Sequence, residues 1–240
     1  MQNEIKILST KSVDDSLVGT AAMYHILIEQ VPFINTEEIV SPWIKERIGE
    51  LSKQKLTVIF TSTTAVNAVN KMLTTRPSWK IFCTAPATRQ LVESVFGNKS
   101  IAGSAENADA LSGEIIAAGS AKETIFFCGD QRRNVLRERL REKGIAVEEL
   151  VVYKTVGRPQ IISKKYDAIL FFSPSAVKSF FSVNTIPGKT QIFAIGSTTA
   201  NEVKLFSNLP VVIAEYPETR QLIWQAIKHF STPTTFPCSN

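Results

Sequence analysis

Short apolar runs alternate along the chain with longer stretches in which apolar residues recur every three or four positions. The short runs are rich in Ile, Val and Phe, and this composition is typical of strands buried in a parallel sheet. The predicted strands are residues 4–8, 57–60, 79–83, 124–128, 168–172, 191–195 and 210–214. Helical stretches follow most of them, and this alternation predicts parallel sheets with helices on both faces.

Three stretches show helical periodicity. The first begins after candidate N-caps at residues 14–16, and its stripe consists of Leu17, Ala21, Tyr24 and Ile28. The second is residues 134–143, where Gly144 is the predicted C-cap. The third is residues 219–230, with its apolar residues on one face.

An internal repeat relates two parts of the chain. The segment FTSTTAV that begins at Phe60 resembles FFSPSAV at Phe171, and APAT at 85–88 resembles GSTT at 196–199. The paired positions are 111 residues apart in every case, as in 60 and 171 or 85 and 196. A spacing shared across two strand–helix units predicts two similar α/β lobes.

Each copy of the repeat places Ser or Thr where a strand is followed by a helix. Free backbone N–H groups and the helix dipole attract anions at such positions, and doubly wound sheets bind ligands there. Each hydroxyl alone is better explained as an ordinary helix cap. As a group they predict an anion-binding site to which both lobes contribute: Thr61, Ser62, Thr63, Thr88, Ser173, Ser175, Thr198 and Thr199.

The net charge of +5 and the pI of about 9.1 suit an acidic small molecule, and they would also suit nucleic acid. The basic residues within 132–143 are interleaved with Glu138 and Glu142, which is typical of a solvated helix face. No stacking aromatic residues accompany them, so we expect no nucleic-acid partner. We expect the acidic pairs at 14–15 and 148–149 to be solvated as well.

The remaining chemistry is sparse. Cys83, Cys128 and Cys238 are widely spaced, which argues against a disulfide framework, and we expect the first two to be core residues. With only two histidines and no C-x-x-C, we expect no metal site. No nucleotide-binding motif and no nucleophile elbow occur, so we expect no cofactor.

The apolar runs are too short to span a bilayer, and the N-terminus lacks the basic start and apolar stretch of a signal peptide. We therefore expect a cytoplasmic protein that does not enter a membrane.

The chain resembles the uroporphyrinogen-III synthase family in four signatures that occur in order. They are FTS-x-x-AV at 60–66, CGDQRR at 128–133 running into VVYKT at 151–155, FFSPSAV at 171–177 and AIGSTTA at 194–200. The resemblance covers the chain apart from a tail after about Phe230. Four residues depart from the family pattern: Lys11 near a common Arg-Pro, Thr63 and Thr64 in place of the frequent Pro-Arg, and Ala85 in place of glycine.

The resemblance implies two flavodoxin-like α/β lobes joined by a two-stranded connector. One lobe is then discontinuous and comprises residues 1–34 and 157–240, and the inserted lobe comprises residues 38–152. The connector strands fall near residues 32–38 and 152–157, and the family's active site is the cleft between the lobes.

The resemblance also implies the substrate and the reaction. The substrate is hydroxymethylbilane, a linear tetrapyrrole with eight carboxylates, and the product is uroporphyrinogen III. Loss of the terminal hydroxyl gives an azafulvene on ring A, and ring D attacks through its substituted carbon to form a spiro intermediate. Fragmentation and reclosure then invert ring D. The resemblance thus implies a cyclising, water-eliminating lyase of heme biosynthesis without a cofactor.

Site residues follow from matching the motifs. Tyr153 is the candidate proton donor, although a connector tyrosine also serves for packing between lobes. The resemblance adds Gly129, Arg133 and Gly196 to the substrate-binding residues. We expect a monomer with transient contact to the preceding enzyme of the pathway.

Another hypothesis stays open beside the enzyme. A two-lobed cytoplasmic protein could bind an acidic small molecule without turning it over, and only an assay of turnover separates the two. A basic nucleic-acid module is a more remote alternative, and it would show strong salt-dependent affinity.

Overall fold

The computed structural model describes residues 4–119, 121–132 and 134–231. The chain forms two compact units, one made of Met1–Asn35 with Val156–Asn240 and the other of Thr36–Thr155. We call them the discontinuous unit and the inserted unit. Each is built on a parallel or mostly parallel sheet with helices, which confirms the predicted α/β fold class.

The discontinuous unit contains a five-stranded sheet in the order β11-β10-β9-β1-β2, and all its pairings are parallel. Its strands are β1 (Ile5–Ser9), β2 (Ile26–Gln30), β9 (Ala168–Phe171), β10 (Gln191–Ala194) and β11 (Val211–Ile213). Its helices are α1 (Asp15–Ala22), α7 (Pro174–Phe181), α8 (Ser197–Lys204) and α9 (Thr219–Ser231).

The inserted unit contains a six-stranded sheet in the order β3-β8-β7-β4-β5-β6. Its strands are β3 (Ile34–Glu38), β4 (Thr57–Phe60), β5 (Lys80–Thr84), β6 (Ile101–Ala105), β7 (Glu123–Gly129) and β8 (Ala146–Gly157). Its helices are α2 (Pro42–Ser52), α3 (Thr63–Met72), α4 (Ala87–Phe96), α5 (Ala108–Ala118) and α6 (Val135–Glu142). The chain passes from one unit to the other within β3 and near the end of β8.

The internal repeat is visible in the structure. Strands β4 and β9 start at residues 57 and 168, helices α3 and α7 at 63 and 174, and α5 and α9 at 108 and 219. Each pair is again 111 residues apart. Strand β7 pairs with β4 on the side away from β5, as β1 pairs with β9 on the side away from β10. The two units therefore have the same spatial order of five strands, and their sequences are related by a circular permutation.

The seven predicted strands are confirmed, with ends that move by one residue or two. The apolar runs did not reveal β2, β3, β6 or most of β8, although β3 and the end of β8 lie where the resemblance implies connector strands. The first helical stripe is wrong beyond residue 22, since Tyr24 lies in a turn and Ile28 belongs to β2. His25 adopts a left-handed conformation with φ of 59°, which ends the helical path before Ile28.

Several other local predictions are confirmed. Asp14 is the N-cap of α1, with its carboxylate accepting the Ser16 N–H at 2.8 Å. Gly144 follows α6 with φ of 75°, as a helix-ending glycine does. Cys83 and Cys128 are buried core residues, and burial raises the pKa of the Cys128 thiol to about 12.

Aromatic side chains make up much of the core of the inserted unit. Phe60 stacks on Phe127 at 5.4 Å between ring centroids, and Trp79 packs against Phe127 at 5.6 Å. The Trp79 indole also donates to the Leu51 carbonyl at 3.0 Å, so its polar group is satisfied within the core. This core anchors β4 and β7, whose carboxyl ends carry the pocket described below. Among the described helices, none is both long and apolar enough to cross a membrane.

Candidate functional site

The inserted unit contains a pocket of about 220 Å³ at the carboxyl ends of its central strands. It is lined by Thr61, Ser62, Ala108, Phe126, Gly129, Gln131, Arg132, Leu136, Tyr153 and Thr155. Strands β4, β7 and β8 are parallel neighbours, so their carboxyl ends meet at one edge of the sheet. Ligand sites of open α/β sheets form at this edge.

The side chain of Tyr153 reaches the pocket through an irregularity between β7 and β8. Cys128 pairs with Val151, but the next residue, Gly129, pairs with Tyr153, so Val152 is an extra residue in β8. A bulge of this kind re-aims the side chains that follow it. The Asp130 N–H then donates to the Tyr153 carbonyl at 3.1 Å, which fixes the backbone there.

Gly129 allows the ring of Tyr153 to lie where it does. A Cβ atom at position 129 would be 2.5 Å from ring carbons Cε2 and Cζ and 2.8 Å from the phenolic oxygen. Side-chain atoms do not approach so closely, so only glycine fits against this ring. Gly129 was predicted to bind substrate, and the structure also gives it this packing role.

The first turn of α3 forms a second part of the pocket. Ser62 is the N-cap, and its hydroxyl accepts the Ala65 N–H at 3.2 Å. Thr63 is the first residue of the helix, where backbone N–H groups have no acceptor within the helix. Together with the helix dipole they favour an anion beside Thr61 and Ser62.

A cluster of charges forms the third part. The Arg132 guanidinium binds Glu149 in a fork, with Nε donating to Oε1 at 2.9 Å and Nη2 to Oε2 at 2.7 Å. Arg137 donates to the same Oε2 at 3.1 Å. The hydrogen bond from Arg132, opposed by partial burial, lowers the pKa of Glu149, and the charges of both arginines act in the same direction.

These contacts correct two predictions about charged residues. Glu149 is not solvated, because its side chain is only 11% exposed and two arginines neutralise it. Glu148 likewise pairs with Arg47, at 2.7 Å. The basic segment is also not a wholly solvated face, since about three quarters of the Arg132 and Arg137 side chains are covered.

The discontinuous unit carries the second set of predicted residues at the corresponding edge of its own sheet. Ser173 is the N-cap of α7 and accepts the Ala176 N–H at 3.2 Å, as Ser62 does in α3. Ser175 lies in the first turn of that helix. Strands β9 and β10 are neighbours, so α8 begins at the same edge.

The predicted cap role is wrong for Thr199. Gly196 is the N-cap of α8 and makes no side-chain cap bond, while Thr198 and Thr199 lie inside the first turn. Thr198 is exposed and Thr199 is 3% exposed. Helix α8 begins at Ser197, before both threonines in the sequence, so neither hydroxyl is at the N-cap position.

Thr88 is also not a cap. Helix α4 begins after Pro86 without a side-chain cap bond, and Thr88 is buried with its hydroxyl 3.3 Å from that of Thr84. Thr88 does not line the pocket. Arg133 lies outside the described residues. The structure thus brings Thr61, Ser62, Gly129 and Tyr153 together, and convergence with the other unit's residues stays a prediction.

Sequence reasoning missed Arg132, Gln131 and Thr155 as pocket residues. Arg132 was grouped with its basic neighbours, and charge patterning alone does not separate a loop arginine from helix arginines. The available signal was Glu149, which stands beside the apolar run 150–152. An acidic residue in a strand that is covered by other parts of the protein is partly buried, and a buried charge requires a partner of opposite charge.

Comparison with known proteins gives a consistent picture. A family model described as uroporphyrinogen-III synthase HemD matches residues 27–223. The crystal structure of uroporphyrinogen-III synthetase from Helicobacter pylori 26695 is similar with a TM-score of 0.68 and 16% identity, covering 94% of this chain and 99% of that one. A mutant uroporphyrinogen III synthase from Thermus thermophilus gives a TM-score of 0.54 and 14% identity, covering 94% and 98%.

At such low identities the two crystal structures establish a shared fold. The family model adds more, because its match extends over most of the chain and includes the pocket of the inserted unit and the α7 and α8 starts of the discontinuous unit. The chain therefore belongs to the uroporphyrinogen-III synthase family, whose members are enzymes of heme biosynthesis.

Proposed function

We propose that this protein is a water-eliminating lyase that closes hydroxymethylbilane into uroporphyrinogen III with inversion of the last ring. One observation carries the proposal beyond family membership. A phenol, a helix N-terminus and a guanidinium line one pocket of the inserted unit, through Tyr153, Ser62 and Arg132. A proton donor beside two anion-attracting groups is what this substrate requires.

The charge of the substrate matches the pocket. The linear tetrapyrrole carries eight carboxylates, and the start of α3 and the Arg132 guanidinium are both favourable to anions. Ser173, Ser175, Gly196, Thr198 and Thr199 are proposed as further binding residues. They sit at or inside the first turns of α7 and α8 at the edge of the other sheet.

Tyr153 is proposed as the proton donor. The bond between the terminal carbon and its hydroxyl breaks, the pyrrole nitrogen lone pair of ring A supplies the electrons, and the phenol supplies the proton that turns hydroxide into water. Ring D then attacks through its substituted carbon to give the spiro intermediate. The final reclosure releases a proton, which restores the phenol, so one water is lost overall.

Selectivity is the second task of the site. Head-to-tail closure to the symmetric isomer I occurs without any catalyst, so the protein must lower the barrier to attack through the substituted carbon more than the barrier to the simple closure. Holding the two ends of a flexible chain in one geometry provides such a preference. No redox step and no group transfer is needed.

An isomer assay tests the proposal. Hydroxymethylbilane is generated in the cuvette, the purified protein is added, and the oxidised porphyrins are separated by chromatography. We expect uroporphyrin III to predominate. Isomer I alone, from a folded protein in an active generating system, would contradict the proposal and favour the non-catalytic binder of an acidic small molecule.

A further inference from the structure

We propose that Arg132 binds a carboxylate of the substrate and that Glu149 is the positioning residue that holds Arg132 ready for it. The inference rests on the proposed function, because the carboxylate belongs to the tetrapyrrole. It adds two residues that were not among the predicted site residues: Arg132 lies within the CGDQRR signature, but the resemblance implied a binding role only for its Gly129 and Arg133.

The hydrogen bonds of Arg132 leave one side of its guanidinium for a ligand. Glu149 takes Nε and one N–H of Nη2. Among the residues that the structure describes, Nη1 has no acceptor. The side chain is 25% exposed and lines the pocket, so Nη1 and the second N–H of Nη2 are available for a second carboxylate.

The charges of the cluster leave a surplus that favours an anion. Arg132 and Arg137 share the one carboxylate of Glu149, so this ion-paired group carries a net charge of +1; the nearby Asp130 also acts on Arg132, and it accepts the Thr155 N–H at 2.9 Å. Glu149 stays ionised at neutral pH, because the hydrogen bond from Arg132 lowers its pKa despite partial burial. A surplus charge that is largely covered is screened less than one on an open surface.

Glu149 fixes the orientation of the Arg132 guanidinium. A free arginine loses much rotamer freedom when it binds, and part of that loss is avoided when a neighbouring carboxylate already holds the side chain. Glu149 lies in β8, four residues before Tyr153, and the guanidinium bridges this strand to the loop after β7. One strand therefore supplies both the proposed proton donor and the residue that orients the proposed carboxylate binder.

Arg139 provides a matched control close to the same loop. It lies in α6, pairs with Asp109 and also donates to the Asp109 carbonyl, and its side chain is 43% exposed. It does not line the pocket. Removing Arg139 therefore changes the net charge of the protein as removing Arg132 does, but leaves the pocket intact.

The experiment compares KM and kcat for hydroxymethylbilane in five proteins: the wild type, Arg132→Met, Arg132→Lys, Glu149→Gln and Arg139→Met. Loss of a charge-assisted bidentate contact raises KM by about tenfold or more in Arg132→Met. Arg132→Lys keeps the positive charge but cannot make two parallel hydrogen bonds to one carboxylate. Its KM therefore lies between those of Arg132→Met and the wild type. Glu149→Gln raises KM by a smaller factor and changes kcat little, while Arg139→Met matches the wild type.

The outcomes separate this inference from the proposed function. A wild type that yields only isomer I contradicts the function itself. An active wild type with unchanged KM in Arg132→Met overturns the role of Arg132, and a Glu149→Gln variant that matches Arg139→Met overturns the positioning role. Urea unfolding of each variant checks the fold, and if Arg132→Met fails to fold, the KM of Arg132→Lys decides.

Discussion

The ring of Tyr153 occupies the space that a side chain at Gly129 would need. A Cβ there would lie 2.5 Å from two ring carbons, and the two residues are register partners across β7 and β8. The pocket geometry around the proposed proton donor therefore depends on the absence of a single methyl group.

We expect Gly129→Ala to displace the Tyr153 ring and to lower the rate of isomer III formation. Overpacking of this kind costs about 1–3 kcal/mol of unfolding free energy. Urea unfolding and the isomer assay measure the two effects. Gly113→Ala in α5 is the control, because a Cβ there meets nothing within 4 Å, and alanine in a helix interior is favoured over glycine by about 0.5–1 kcal/mol. Equal stabilisation by both changes would refute the close approach at Gly129.

We expect Tyr153→Phe to lower kcat for isomer III by about 10²- to 10⁴-fold, the usual contribution of a positioned proton donor. The unfolding free energy should change little, because the ring against Gly129 is kept. Tyr216→Phe loses the same hydroxyl at a position that is 62% exposed and outside the pocket, and should keep full activity. Full activity in Tyr153→Phe would remove this phenol from the mechanism.

Two serine N-caps, one in the pocket and one outside it, distinguish an effect on substrate binding from an effect on stability. Ser62 and Ser41 cap α3 and α2 with the same geometry, each accepting an N–H three residues on at 3.2 Å. Replacing either by alanine should cost about 1 kcal/mol of stability. Only Ser62→Ala should also raise KM for the substrate, because Ser62 lines the pocket. A similar rise in Ser41→Ala would show that the effect on KM comes from stability alone.

The pair between Glu149 and Arg132 should show in the pH dependence of stability. The folded-state pKa of Glu149 lies below 4.5, so its stabilising contribution is present above pH 4.5 and is lost as pH falls through the folded-state value. Glu149→Gln should therefore lower the unfolding free energy at neutral pH by about 1–3 kcal/mol, and the difference from the wild type should shrink below pH 4.5. Urea unfolding at several pH values measures it.

The exposed Glu138 of α6 serves as the control for that experiment. Glu138→Gln should leave the pH dependence close to that of the wild type. A Glu149→Gln protein whose stability difference stays constant from neutral to acidic pH would show that the ion pair contributes little.

The strand positions were predictable from the sequence because buried parallel strands are continuous apolar runs. The repeat at 111 residues also predicted the similarity of the two units, since it needs only spacing. The apolar runs did not reveal two edge strands, β3 and β6, which read INTEE and IAGSA and contain too few apolar residues to stand out. Edge and connecting strands are less buried than central ones, so their composition carries little signal.

The candidate site was predicted in part. Ser62 and Ser173 follow buried strands directly, and that position alone identifies an N-cap. Tyr153 entered through the family motif, but its proximity to Gly129 depends on the extra residue Val152 in β8, and no sequence pattern reveals that bulge. The pairing of Arg132 with Glu149 joins residues 17 positions apart on two neighbouring strands and their loop, so it requires the register of the sheet.

The division of one unit around the other has a consequence for synthesis on the ribosome. Strand β1 is made before the whole of the inserted unit, yet its neighbour β9 begins only at residue 168. The inserted unit, Thr36–Thr155, is translated completely in between, which takes roughly 6–24 s at about 5–20 residues per second. During that interval the edge of β1 that later pairs with β9 has no partner strand, so we expect the inserted unit to fold before the sheet of the discontinuous unit is complete.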